Sequence, residues 1–332
     1  MPELHWGLPV IAYLFLAGVG AGALTVSSSV LLRGGGGLLE GQHFHIARLG
    51  AFLAPLPLMI GTGMIVFELG TFQVAIANGE WTKLFRWIHL FLTVNLSPMN
   101  IGSWVLGACI LTSIAYAYTF LGTPTPKDRL CFLRRTMAWI GVPFGIAVAV
   151  YTGVMLGAMP ARPFWNSPVL AFLFLISALS TGVAGILLLN ALFPSEKAVV
   201  ESQSIVGTRR HSDSPAYLLA ASDLMLIGFE FLALFLFLMF AHLTVGAPAA
   251  AVRVILPGGS LATLFWVGVV LIGLLVPAML ELRYVTPTLL YHRPFVIPKI
   301  VEISVATIVL FGGFLLRHVV VVAGQITGPS GL

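Results

Sequence analysis

Eight apolar runs, each longer than 20 residues, occupy most of this sequence. A helix needs about 20 apolar residues to cross the hydrocarbon core of a bilayer, and every run reaches that length. The runs cover residues 8–32, 48–71, 87–118, 137–159, 168–193, 217–243, 260–281 and 300–323. Because a helix satisfies its own backbone hydrogen bonds, it is the structure that such runs form in lipid. The sequence therefore predicts an all-α polytopic membrane protein with eight transmembrane helices.

The composition excludes the other common classes of protein. Only 9% of the residues are charged and 58% are hydrophobic, whereas soluble domains average about 25% charged residues. A disordered chain would be much less apolar. A transmembrane barrel would alternate apolar and polar residues in short segments, which these long runs do not do.

The distribution of basic residues predicts the orientation in the membrane. An even number of spans puts both termini on one side, here called the terminal side. Its loops hold four of the 17 lysines and arginines, and a fifth, Arg317, lies towards that end of the last span. The opposite side, here called the basic side, holds the other twelve: Arg33, Arg48, Lys127, Arg129, Arg134, Arg135, Lys197, Arg209, Arg210, Arg283, Arg293 and Lys299. The positive-inside rule makes the basic side cytoplasmic. We therefore expect a protein of the cytoplasmic (inner) membrane with both termini periplasmic or extracytoplasmic, and since orientation accounts for the positive charge, no nucleic-acid partner is predicted.

A polar loop suggests a division of the chain. Residues 194–216 are predicted to form a cytoplasmic linker between two four-helix halves, residues 1–166 and 167–332, although no internal repeat relates them. Small residues at Gly18–Gly22 predict that another helix approaches the first span closely.

The protein has few residues with which to hold a redox metal. Its two cysteines, Cys109 and Cys131, are too few for an iron–sulfur cluster, which needs about four thiolates. No span carries two well-buried histidines for haem. We therefore expect no haem and no bound metal, and any iron–sulfur or molybdopterin centre would lie in partner subunits.

Two acids lie inside the sixth run. Asp223 and Glu230 are seven residues apart, so they share one helix face. A charged side chain at mid-membrane costs about 2.5–3.5 kcal/mol on insertion scales, and it persists when it is buried, paired or used. Two interpretations stay open: the acids are steps of a proton path from the cytoplasm, or they are structural acids bonded to a neighbouring helix, for example to Arg317.

Titratable groups gather near the terminal side. They are His5, Glu68, His89, His242 and His318. Histidine can change charge near neutral pH, which suits proton exchange with a redox ligand. A histidine of this kind, taken alone, is more often an interfacial or hydrogen-bonded side chain than a ligand.

Several motifs, in order along nearly the whole chain, resemble the NrfD-like family, which includes the membrane subunit of polysulfide reductase. They are Trp6-Gly7-Leu8-Pro9, the glycine-rich stretch from Tyr13 to Gly22, Ser97-Pro98-Met99-Asn100-Ile101-Gly102-Ser103-Trp104, Tyr151-Thr152-Gly153, Trp165-Asn166, Ser177 to Gly182, and Arg317 with Val322 to Gln325. The stretch from Ser97 to Trp104 is the most specific of these.

The resemblance implies an eight-span subunit of a respiratory oxidoreductase. Such a subunit exchanges electrons between membrane quinone (menaquinone or ubiquinone) and a four-cluster iron–sulfur subunit. That partner connects to a molybdenum or tungsten pterin subunit, which acts on the terminal substrate. The resemblance implies a quinone pocket in the first half of the chain, on the face where the iron–sulfur partner docks. Whether such complexes form dimers is left open.

The expected quinone site combines one residue from the resemblance with others chosen by position. Tyr151 is carried over from the family motif, whereas the first span offers only Tyr13 as a polar residue between Leu8 and Ala17. A quinone pocket needs apolar walls and a few donors to the carbonyl oxygens. The predicted quinone-binding residues are Trp6, Tyr13, Glu68, His89, Asn95, Tyr151 and Arg162, and the predicted proton-transfer residues are Glu68, Asp223 and Glu230.

Two other functions fit parts of the pattern. A passive membrane anchor for a peripheral enzyme would use the buried acids only for structure. A secondary transporter would have inverted repeats and helices broken at matched positions. The prolines of the second, fourth and seventh runs do not match in that way.

Overall fold

The computed structural model describes residues 6–34, 44–68, 79, 88, 92, 97–121, 130–194, 215–291, 295 and 297–328. Eight helices in these ranges are long and apolar enough to cross a membrane, which confirms the predicted all-α fold and the number of spans. In sequence order they are Leu8–Arg33, Phe44–Val66, Pro98–Tyr118, Cys131–Gly157, Pro168–Leu192, Tyr217–Leu243, Leu264–Tyr291 and Lys299–Ile326. They are called the first to eighth spans below.

Proline sets the start of several spans. Pro9, Pro98 and Pro168 each lie in the first turn of a helix, where the missing N–H has no intrahelical partner to lose. In the third span Ser97 caps the helix by accepting a hydrogen bond from the Asn100 N–H at 3.3 Å. The sequence predicted one longer span over residues 87–118. In the structure Ser97 and Pro98 begin the helix Pro98–Tyr118, and most of 87–96 lies outside the described residues.

Two spans are irregular. The second consists of the helices Phe44–Leu53 and Pro55–Glu68, which are separated at Ala54. The helix is interrupted there because Pro55 has no N–H with which to donate the next backbone hydrogen bond. The seventh begins as a π-helix over Leu264–Leu275 and continues as the α-helix Val276–Tyr291. The sequence placed the end of this span at residue 281, so the helix runs about ten residues farther than predicted.

The first span lies at the centre of the bundle. It packs against the second, fourth and fifth spans. Within an apolar stretch of 18 residues in this span, 78% is buried inside the protein. Its closest approach is to the fifth span, where a Cβ added at Gly22 would collide with the Ala178 carbonyl and one at Gly182 would collide with Gly22. The predicted close helix contact at the glycine-rich stretch is therefore confirmed.

The division into two halves stays a prediction. The fifth span, which was assigned to the second half, packs against the first and fourth spans as well as the sixth and eighth. The predicted linker lies almost entirely outside the described residues. The described ends of the protein do meet, since the Gln325 Nε2 donates to the Trp6 carbonyl at 2.9 Å. Both ends therefore lie on the same side of the bundle.

Candidate functional site

Two tyrosines from neighbouring spans meet in the half of the bundle nearer the terminal side. Tyr13 on the first span is 2% exposed, and its phenol is close enough to that of Tyr151 on the fourth span to interact with it electrostatically. The Tyr151 ring fills the space that a side chain at Gly102 would occupy. Glycine in the third span therefore makes room for Tyr151, which explains why these two family motifs belong together.

Among the described residues, the Tyr151 hydroxyl has only a weak hydrogen-bond acceptor. It donates to the Met155 sulfur at 3.5 Å, one turn along its own helix. A thioether is a poor acceptor compared with a carbonyl oxygen. A ligand carbonyl that reached this hydroxyl would therefore replace the sulfur at little cost.

A second group of predicted residues closes the terminal side of the bundle. The Trp6 ring stacks on the Trp165 ring with centroids 5.1 Å apart. Arg162 Nη1 donates to the carbonyls of Gly324 and Gln325, each at 3.0 Å, and its guanidinium lies 5.2 Å from the Trp165 ring centroid. The Trp165 Nε1 donates to the Val320 carbonyl at 2.7 Å. Arg162 thus holds the end of the eighth span, and its role towards quinone stays a prediction.

The remaining predicted quinone residues are only partly visible. The helix that carries Glu68 ends at that residue, and nothing is described of its side chain. His89, Asn95 and His5 lie outside the described residues. Their place beside Tyr13 and Tyr151 therefore stays a prediction.

The two acids of the sixth span are buried, as their common helix face predicted. Asp223 is fully buried and accepts a hydrogen bond from Ser180 Oγ at 3.1 Å. Glu230 is 3% exposed, accepts a hydrogen bond from Ser177, and interacts electrostatically with Asp223 and Arg317. Both serines lie on the fifth span, one helical turn apart.

Arg317 joins this acid pair to the first span. Its side chain is fully buried and passes within 2.6 Å of the position that a Cβ at Gly18 would take. Nε donates to the Leu14 carbonyl at 3.2 Å, and Nη1 donates to Ser177 Oγ at 3.0 Å. Arg317 therefore interacts both with Glu230 and with the backbone of the first span, one residue after Tyr13.

Sequence reasoning missed Glu281, Ser177 and Ser180 as parts of this network. Glu281 is 1% exposed and interacts electrostatically with Asp223. Placing the end of the seventh span at residue 281 put this acid at the membrane boundary, whereas the longer helix carries it inside. Ser177 and Ser180 lie in a stretch that the resemblance includes, but nothing in it pointed to the acids, because serine is common in tightly packed transmembrane helices.

Comparisons with known proteins agree with the motifs. The family model described as "Polysulphide reductase, NrfD" matches residues 1–329. A polysulfide reductase chain of Wolinella succinogenes is 28% identical over 334 residues, which cover 97% of the present protein and 94% of that relative. Protein NrfD homolog of Haemophilus influenzae is 26% identical over 342 residues, 98% of the present protein and 96% of that relative. A selenate reductase subunit of Mesobacillus selenatarsenatis is 25% identical over 214 residues, 58% of the present protein and 49% of that relative. With eight apolar spans and a family match over almost its whole length, this chain belongs to the NrfD family of multi-pass membrane proteins.

Proposed function

We propose that this protein is the membrane subunit of a respiratory oxidoreductase and exchanges electrons between membrane quinone and an iron–sulfur partner. Two of its relatives are named as parts of reductases, one of a polysulfide reductase and one of a selenate reductase. The partner would be a four-cluster iron–sulfur subunit, which passes electrons to or from a molybdenum or tungsten pterin subunit. The terminal substrate is converted in that third subunit.

The observation that carries the proposal is the pairing of Tyr13 and Tyr151. A quinone headgroup needs apolar walls and a small number of donors to its two carbonyl oxygens. Tyr151 supplies a hydroxyl whose present acceptor is a thioether, and the buried Tyr13 lies near enough to interact with it electrostatically. His89, Asn95 and Glu68 would complete the pocket, and the carboxylate or imidazole would exchange the protons that accompany two electrons.

The proposed orientation follows from the basic residues. The terminal side would face the periplasm, where the iron–sulfur partner docks near the pocket. Asp223 and Glu230 would carry protons from the cytoplasmic side towards the first span. Electron transfer to quinone would then move charge across the membrane.

The test replaces Tyr151 by phenylalanine in the intact complex. Loss of one hydrogen bond to the quinone is worth about 1.4 kcal/mol, which corresponds to a tenfold lower rate of quinone-linked electron transfer. Activity of the complex with an artificial dye should stay unchanged, because the dye bypasses the membrane subunit. Glu68→Gln and His89→Ala should act in the same direction.

Tyr118→Phe is the matched control. Tyr118 lies at the far end of the third span and is 60% exposed, so this variant should retain full quinone-linked activity. Normal quinone-linked activity in Tyr151→Phe, Glu68→Gln and His89→Ala would reject the pocket. A wild-type complex that is membrane-bound but transfers no electrons to quinone would favour a passive anchor instead.

A further inference from the structure

The carboxylates whose side chains the structure describes form one group. They are Asp223, Glu230, Glu281 and Glu302, and they lie on the sixth, seventh and eighth spans. The first three are at most 3% exposed. Acids inside a bilayer are costly, so four of them in one part of the bundle call for a common explanation.

These acids form a series with a defined order. Glu281 interacts electrostatically with Asp223, and Asp223 interacts with Glu230. The fifth span shows the order of depth. Ser180 donates a hydrogen bond to Asp223, whereas Ser177, which lies one turn nearer the terminal side, donates one to Glu230. Glu230 in turn faces Arg317. The series thus runs from Glu281 inwards, and the cation at its inner end contacts the first span.

An open cleft lies at the outer end of the series. It is small, with a volume of about 10 Å³, which is about the space that one water molecule needs. It is lined by Leu187, Ala220, Glu281, Phe295, Ile297, Glu302 and Val305. Glu302 lies in the first turn of the eighth span, close to the basic side. There it accepts a hydrogen bond from Asn190 at 3.4 Å and interacts with Lys299.

The Glu281 carboxyl group is incompletely satisfied within the described part of the protein. Its Oε2 atom is buried and has no hydrogen-bond partner there, yet the residue lines the cleft. A buried polar atom of this kind costs about 1–3 kcal/mol unless water or a proton satisfies it. Water in the cleft would have two carboxylates and the Asn190 amide nearby as polar partners, which is what an ordered water needs.

We propose that this cleft is the proton intake of the protein and that Glu281 is the group that accepts protons from its water. The inference rests on the proposed function and adds to it the residue that loads Asp223 and Glu230. A proton leaves a hydronium ion in the cleft and bonds to a Glu281 carboxylate oxygen, and water remains. When Asp223 takes that proton, Glu281 becomes a carboxylate again, and no electrons are gained or lost. Because neighbouring carboxylates repel each other in apolar surroundings, sharing a proton along the series lowers its energy.

The first experiment tests access to Glu281 without using electron transfer. Dicyclohexylcarbodiimide is an apolar reagent that modifies protonated carboxylic acids, and mass spectrometry of the treated complex locates the adduct. We expect an adduct on Glu281, and we expect it to form more slowly at higher pH as the acid loses its proton. Absence of any adduct on Glu281 across the pH range would overturn the proposal.

The second experiment uses the intact complex in vesicles that contain a pH-sensitive dye. Glu281→Gln keeps the size of the side chain but cannot carry a proton, so proton uptake from the basic side should fall at least tenfold relative to the wild type. Glu281→Asp should restore part of the uptake, which a merely structural role of Glu281 would not predict. Dye-linked activity of both variants should match the wild type.

The outcomes separate the two proposals. Unchanged proton uptake in Glu281→Gln, with quinone-linked electron transfer intact, would overturn the role of Glu281 and leave the quinone function standing. A wild-type complex with no quinone-linked transfer would overturn the quinone function itself.

Discussion

Replacing Arg317 by methionine should destabilise the protein because it leaves Glu230 without its buried cation. Arg317 donates at 2.8 Å to the Gly313 carbonyl, in addition to its bonds to Leu14 and Ser177. The Gly313 carbonyl lies one turn back on the same helix and the Ser177 hydroxyl can rotate, so these losses are modest. Glu230, by contrast, loses the buried positive charge with which it interacts electrostatically, and a buried charged group that loses its partner costs at least about 1–3 kcal/mol.

Methionine is the substitution that isolates this effect. The guanidinium carbon of Arg317 lies 5.8 Å from the Phe15 ring centroid and 5.5 Å from that of Phe174. An unbranched thioether can occupy the same channel and contact both rings favourably. We therefore expect a decrease of about 3 kcal/mol in the free energy of unfolding.

The double variant Arg317→Met with Glu230→Gln should recover about half of the loss. Neutral glutamine needs no counter-charge and can still accept the hydrogen bond from Ser177. Directly interacting residues of this kind show coupling energies of about 0.5–3 kcal/mol in double-mutant cycles, and we expect a value near the upper end.

A thiol-reactive fluorescent dye can measure these changes during unfolding in mixed micelles of dodecyl sulfate. Cys109 is fully buried and reacts only when the bundle opens, whereas Cys131 is partly exposed and gives the baseline. Two results would refute the reasoning. One is a free energy of unfolding for Arg317→Met within about 1 kcal/mol of the wild type, the range into which surface changes usually fall. The other is a double variant that is no more stable than Arg317→Met alone.

Three further changes test the packing. Gly22→Ala should cost at least about 1–3 kcal/mol of unfolding free energy through overpacking, because the new Cβ would collide with the backbone of the fifth span. The control Gly228→Ala should be neutral or slightly stabilising, because a Cβ at Gly228 would meet nothing within 4 Å. Equal effects of the two variants would contradict the close contact. Trp165→Phe should cost about 1 kcal/mol in the same assay through the lost bond to the Val320 carbonyl, and a neutral result would dismiss that bond. Ser97→Ala should cost about 1 kcal/mol by removing a helix cap, and no change in stability would show that another group caps the third span.

The length of the apolar runs was enough to predict the number of spans. Apolar length is a local property of the sequence, and crossing a bilayer depends on it directly. The common face of Asp223 and Glu230 could be predicted for the same reason, because a separation of seven residues is two helical turns. The glycine-rich stretch of the first span likewise predicted a close helix contact.

The contacts between spans could not be predicted from such patterns. In lipid, residues that face the bilayer are as apolar as those that face another helix, so hydrophobic periodicity does not show which face packs. The first and seventh spans are both continuous apolar runs. Yet 78% of an 18-residue apolar stretch is buried in the first span, compared with only 33% in the seventh.

The sequence alone thus determined the eight helices, the family and two of the buried acids, because each depends on residues near one another in the sequence. Only the tertiary structure placed Arg317 against Leu14, Tyr151 over Gly102 and Glu281 beside Asp223. These partners are tens to hundreds of residues apart, and their positions depend on how the helices pack and on where the seventh helix ends.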